Sequence, residues 1–203
     1  MTLGRPRQFD RDGALRAALL VFWERGYHDA SISALTAAMG IGAPSLYAAF
    51  GSKAKLFMEA TDLYIADETC EPTRLLETGD TARSSIEAML RSDADLYTRP
   101  GDPSGCLLTR AVSTCPCDDA ELQAYLDRNV EQRIHDIEAR VARGAADGEP
   151  LPGEGDARAL AEYIDVVTEG MAVRAMEGAS RKSLHRIVDI TMRMWDSDVS
   201  SRS

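Results

Sequence analysis

Apolar residues recur at three- and four-residue spacing along nearly the whole chain, and alternating β-type runs are absent. Leu15, Ala18, Leu19 and Phe22 make the first such stripe, and Trp23 widens it. Asp10 ahead of the stripe is a good N-cap and Gly26 behind it a good C′ residue, which predicts a helix from Asp10 to about Arg25. A second helix follows Ser31 and stops near Gly40, with Ile32, Leu35 and Met39 facing inward. A third follows Gly42, carries Pro44 in its first turn, buries Leu46 and Phe50, and ends at Gly51. Ser52 caps a long fourth helix through Leu56, Phe57, Ala60 and Tyr64, with Pro72 near its end.

The pattern continues with a weaker helix over residues 81 to 98, marked by Ile86, Met89, Leu90 and Tyr97. The run RPGDPSG at 99 to 105 reads as a loop. A short helix begins near Cys106 and breaks at Pro116. Asp118 or Asp119 then caps a long helix to about Arg143, with Leu122, Leu126, Val130, Ile134, Ile137 and Val141 in one stripe. After a loop at 144 to 155, two more helices are predicted over about 156 to 177 and 181 to 195. The expectation is an all-α protein of about nine helices.

Charge changes this picture by dividing the chain. The net charge is −10, yet the first 60 residues carry +2 and the rest −12. That asymmetry suits a small head that meets nucleic acid and an acidic body that nucleic acid would repel. No apolar run approaches the roughly 18 residues of a membrane span, and the N-terminus has no apolar signal core, so the expected location is the cytoplasm, without a membrane partner. The four cysteines do not suggest a disulfide scaffold.

The chemistry concentrates in SISALTAAMGIGAPSLYAAFGSK, residues 31 to 53. Two short helical patterns flank a glycine-bearing turn, and the second presents Tyr47 with Lys53 six residues beyond. A helix that enters a DNA major groove, followed by a cation placed for a phosphate, has this form. GIGAPS lacks the Lys-Ser/Thr of a phosphate loop and a preceding strand, and no nucleophile elbow, metal-ligand pair or cofactor fingerprint is present. The sequence therefore points away from an enzyme and implies no metal and no cofactor.

GRPRQFD, FWERGY and SISALTAAMGIGAPSLYAAFGSKAKLF, in that order, resemble the N-terminal domain of TetR-family transcriptional regulators over roughly residues 5 to 65. The resemblance implies an all-helical homodimer whose heads occupy successive major grooves of a palindromic operator and release it when the body binds a small molecule. It also implies roles for residues. Tyr47 and Lys53 match phosphate contacts; Ala43, Pro44, Ser45 and Ala48 match positions facing base edges. Ser31 and Ser33 belong to the same DNA-facing group, and Arg5 and Arg7 match a basic arm that precedes the first helix. The chain departs from the family pattern at Gly42, often Ser or Thr, at Ala34, which leaves Ser31 without a capping-box acid, and at Ala49, often His. Ala43, Pro44 and Ala48 carry no hydrogen-bonding groups, so direct readout rests on Ser45, methyl contacts and the arm.

The expected division is a basic arm over 1–9, a helix-turn-helix domain over 10–52 with its motif at about 31–50, and a ligand-binding and dimerisation domain over 53–203. For the ligand, inward faces of the body offer Tyr64, Met89, Tyr97, Cys106, Leu107, Arg110, Tyr125, Tyr163, Val167 and Met171. For the dimer, the last two helices offer Leu160, Ile164, Val167 and Met171, then Leu184, Ile187, Val188, Thr191, Met194 and Trp195, faces suited to a four-helix bundle across a twofold axis. The functional expectation is a ligand-responsive regulator, a repressor first, with an activator as the rival that sequence does not separate from it because the sign depends on where the operator lies. The alternatives are a helical small-molecule-binding protein or enzyme that ignores DNA, and a thiol-based redox regulator using Cys106, Cys115 and Cys117.

Overall fold

A computed structural model describes residues 10–114, 119–152 and 156–200, with side chains omitted at 113, 114 and 196–200. Helices account for every regular element among the described residues, in the order α1 (Arg11–Asp29), α2 (Ile32–Met39), α3 (Ala43–Phe50), α4 (Lys53–Glu68), α5 (Cys70–Thr78), α6 (Ala82–Leu96), α7 (Leu107–Thr114), α8 (Ala120–Ala146), α9 (Ala157–Met176) and α10 (Arg181–Ser200). The all-α expectation holds.

Caps set the boundaries of the first four helices. Asp10 Oδ1 accepts from Gly13 N at 3.0 Å, Ser31 Oγ from Ala34 N at 3.1 Å, and Ser52 Oγ from Lys55 N at 3.0 Å. Gly26, at φ 78°, interrupts α1 where the sequence places its end, and a further helical turn carries the chain on to Asp29. Gly40, at φ 67°, closes α2 in the left-handed conformation that glycine adopts without a Cβ penalty. Phe22 meets Phe57 edge-on at 5.0 Å, and Leu35, Leu46 and Phe50 close the small core beneath α2 and α3.

One helix was not legible. Pro72 does not lie near the end of the fourth helix; α4 stops at Glu68, and Pro72 sits buried in the first turn of α5. Its missing N–H has no intrahelical partner there in any helix, so proline starts this element instead of breaking the previous one. That raises the count from nine to ten among the described residues.

In the body, α6 runs through the centre, flanked by α5, α8 and α10, while α9 packs along α8. Arg140 is buried but satisfied: Nε donates to Ser85 Oγ at 2.9 Å, Nη2 to Gly79 O at 3.3 Å, and Glu149 lies at 3.8 Å. Head and body join through α4, and through Trp23, whose Nε1 donates to Gly105 O at 2.9 Å. Gly105 is at φ 82°, and a Cβ there would meet Met176 Cγ at 2.5 Å and Ala172 O at 2.8 Å. Only glycine brings the chain that close to α9 while offering Trp23 its carbonyl.

Candidate nucleic-acid interface and body cavity

α2 and α3 are bent 88° to one another across the Gly40–Gly42 turn. Leu46 and Phe50 anchor one face of α3, which turns Pro44, Ser45, Tyr47 and Ala48 outward; Ala43 is half-buried. Tyr47 is 47% exposed, well above what a side chain serving the core retains. Ser31 and Ser33 are exposed at the start of α2, although the Ser31 hydroxyl is already engaged as the cap. Lys53 begins α4 half-buried, with Nζ 4.6 Å from the Tyr27 ring centroid and donating to His28 O at 3.2 Å. Burial lowers its pKa and Asp29 opposes that; the Tyr27 ring and the His28 carbonyl hold the amino group beside the recognition helix, with hydrogens to spare. Arg5 and Arg7 lie outside the described residues.

The body contains a cavity of about 130 Å³ among α4, α5, α6, α8 and α9. Ile65, Pro72, Leu76, Met89 and Leu108 supply an apolar wall; Asp93, Tyr97, Cys106 and Thr168 supply a polar one; Thr69, Thr73, Asn129, Gln132, Arg133 and Asp136 complete the lining. Burial pushes the Asp93 carboxyl up to about 7, against the pull of Arg133 and of the Tyr97 hydroxyl. Arg133 behaves the other way: burial would lower its pKa, but the hydrogen bond and charge of Asp165 hold it above the ordinary arginine value. Its Nε bonds Asp165 at 2.5 Å and its Nη2 reaches Glu169 at 3.2 Å.

Of the ligand candidates, Met89, Tyr97 and Cys106 meet at this cavity. The others lie elsewhere. Tyr64 is sealed behind the cavity, edge-on to Trp23 at 4.9 Å, and Leu107 and Met171 are core residues. Arg110 donates to Ser104 O at 3.2 Å, and Tyr125 is tied to Asp62 at 2.6 Å. Tyr163 faces outward and Val167 is half-buried. Sequence reasoning missed Asp93, Arg133 and Thr168. A signal existed for Asp93, which falls midway between Met89 and Tyr97 at four-residue spacing, an acid inside an inward stripe. Cys106 is buried, which does not favour its oxidation, and Cys115 and Cys117 lie outside the described residues.

Most residues of the expected dimer faces turn into their own chain. Leu160, Ile164, Met171, Leu184, Val188, Thr191 and Trp195 are buried within their own chain, and Val167, Ile187 and Met194 are half-buried. The outward apolar groups are Tyr163, Val166 at 65% exposed and Ile190 at 64% exposed. Both helices are apolar on more than one face, so periodicity found an apolar stripe and not its orientation.

Residues 14–60 match the family described as bacterial regulatory proteins, tetR family. The HTH-type transcriptional repressor ComR of Escherichia coli (strain K12) is 31% identical over 193 residues, covering 95% of this chain and 91% of that protein. The repressor BdcR of the same organism is 27% identical over 181 residues, covering 89% of this chain and 86% of that one. A structure of a cysteine mutant of the TetR family transcriptional regulator CifR, complexed with 26-bp double-strand operator DNA, is 38% identical with a TM-score of 0.87, covering 95% of this chain and 100% of that one.

Proposed function

This chain belongs to the tetR family of bacterial regulatory proteins, and from that premise we propose that it acts as a homodimeric repressor, released from a palindromic operator by a small molecule in the body cavity. It is a transcriptional regulator and not an enzyme, as its curated relatives are. The observation that carries the reading is the outward face of α3, set 88° from α2, with Tyr47 raised from it and Lys53 fixed at the next helix start. Tyr47 and Lys53 bond phosphates, which position the helix; Pro44, Ser45 and Ala48 meet base edges. The cytoplasm is where such a protein meets the chromosome.

The operator-bound CifR relative supports double-stranded DNA as the partner. Tyr163, Val166 and Ile190 supply the outward apolar stripe of a twofold interface. In the coupling, α4 serves as a lever: Lys53 starts it beside the recognition helix, and Ile65 near its far end lines the cavity. Sixteen residues span about 24 Å, so a small tilt at Ile65 displaces the head. A ligand shifts the equilibrium only if it prefers the tilted, DNA-incompetent state.

A gel shift with DNA from upstream of the protein's own gene tests this. Binding should weaken steeply between about 50 and 200 mM salt, as released counterions require. Absence of any retarded species at low salt would end the reading. Ile190→Asp should sediment as a monomer with unchanged helicity, and a persistent dimer would move the interface elsewhere.

A further inference from the structure

We propose that the body cavity selects a small protonated amine with an apolar body, its ammonium placed against Asp93 and Thr168. The inference rests on the reading of this cavity as the effector site. Two features of the site call for such a ligand. Asp93 is 6% exposed, has the Tyr97 hydroxyl as a hydrogen-bond partner and, among the described residues, joins no ion pair, so its charge is unmatched when it ionises. Arg133, the cation in its surroundings, gives its Nε and Nη2 to Asp165 and Glu169. Thr168, 1% exposed, has a hydroxyl without a hydrogen-bond partner, and it lines the same cavity. Buried polar groups left in that state lose stability that a ligand restores by pairing with them.

Charge decides among ligand classes. Arg133 is answered by two carboxylates, Asp136 stands in the cavity lining on the next helical turn, and Asp93 adds a fourth acid. An anion would face this surplus with the guanidinium already engaged. A neutral alcohol would meet Thr168 and leave Asp93 a protonated, uncharged acid, so it gains no charge pairing. An ammonium satisfies both, donating to the carboxylate and to the hydroxyl. Asp136, bonded to Gln132 at 2.8 Å, adds attraction for a cation from the less buried side of α8. Size follows from volume. About 130 Å³ is close to the roughly 150 Å³ of an engineered apolar cavity that accepts benzene. Pro72, Leu76 and Met89 thus contact one ring or a short alkyl chain.

Burial holds the Asp93 carboxyl at about 7, so at pH 6 the empty protein carries a proton there. The groups around it are Tyr97 on its own helix, Arg133 and Asp136 on α8, Tyr64 on α4, Asp165 and Glu169 on α9, and Cys106. Ammonium entry favours the carboxylate, and the proton leaves to solvent.

The test is calorimetric titration of the full-length protein with benzylamine, benzyl alcohol and benzoate, one skeleton with three charges. Benzylamine should bind at least tenfold more tightly than either, and Asp93→Asn should erase that preference. Equal binding of the alcohol, tighter binding of benzoate, or an unchanged preference in Asp93→Asn overturns the proposal. Should Asp93→Asn not fold, wild-type protein at pH 6 in two buffers of different ionisation enthalpy decides: benzylamine must release close to one proton, and no release overturns the proposal. Ligand-free wild-type protein is run on DNA alongside. DNA binding without amine selectivity sinks this inference alone, whereas amine selectivity without DNA binding sinks the regulator reading and leaves the cavity chemistry standing.

Discussion

Tyr47 stands half out of the head on a two-turn helix, whereas Asp93 in the body is sealed among helices that the chain brings together from α4 to α9. The head's groups are set by near neighbours: caps at Ser31 and Ser52, left-handed turns at Gly40 and Gly51, and a face decided by Leu46 and Phe50. The cavity's groups are set by packing between residues up to about a hundred positions apart, from Ile65 to Thr168. Chemistry meant for a rigid, charged polymer can be displayed on a surface. Chemistry meant for a small molecule needs walls, and walls need tertiary structure.

The largest predicted effect attacks the seam between the two regions. Trp23 fills core space edge-on to Tyr64 and donates to Gly105 across 82 residues of chain. Trp23→Ala should cost about 3–5 kcal/mol, as truncation of a buried aromatic does. Urea unfolding should remain one transition at a lower midpoint. A split into two transitions would show that head and body fold separately and that the seam is only a contact.

The next effect sharpens the body's side. The Asp93 pKa is raised from 3.8 to about 7 in the folded protein, so the folded state keeps a proton that the unfolded chain releases. Its stabilising contribution is full below about pH 4 and is lost as pH rises towards 7. Between pH 5.5 and 7 that amounts to about 2 kcal/mol, from the linkage slope of 1.36 kcal/mol per proton per pH unit. Asp93→Asn should flatten that part of a stability profile measured by urea midpoints. The wild-type slope persisting in the variant would place the titration on another group facing the cavity.

On the head's side the expected change is in binding and not in stability. Tyr47→Ala should weaken operator DNA about tenfold, near 1.4 kcal/mol, while leaving the unfolding free energy within about 0.5 kcal/mol. A matching loss of stability would mean that Tyr47 packs as core and that its display is incidental.

This contrast also explains what the sequence made legible. SISALTAAMGIGAPSLYAAFGSK carries its own caps and turns, so its elements and its outward groups could be read locally. Met89, Tyr97 and Cys106 were also found, because they lie on inward stripes. Arg133 and Thr168 were not, since a polar residue beside an apolar stripe looks solvent-facing until another helix covers it. The orientation of α9 and α10 failed for a related reason. Leu160 and Val166 are equally apolar, and only packing against the rest of the body shows that the first is buried and the second exposed. Pro72 misled because a proline reads the same one turn after a helix or in the first turn of the next.

The smallest effect tests whether surface charge supports the head at all. Arg11 pairs with Glu59 at 2.6 Å, and its guanidinium lies 4.4 Å from the Phe50 ring centroid. Both partners of the pair keep more than a third of their side-chain surface in water, at 44% and 36%. An exposed pair contributes about 0.2–1 kcal/mol, and a water-exposed cation over a core ring adds a similar amount. Arg11→Ala should therefore lower the unfolding free energy by no more than about 2 kcal/mol, and the deficit should shrink in 1 M salt, where the Debye length is about 3 Å. Arg11→Met, which keeps the stem over Phe50, should recover part of it. A loss of several kcal/mol would mean that the head is held by its rim, and the contrast with a body held by its buried interior would fail. A loss within the expected range leaves Phe22, Leu35, Leu46 and Phe57 as what holds the head, and its surface charges free to serve DNA.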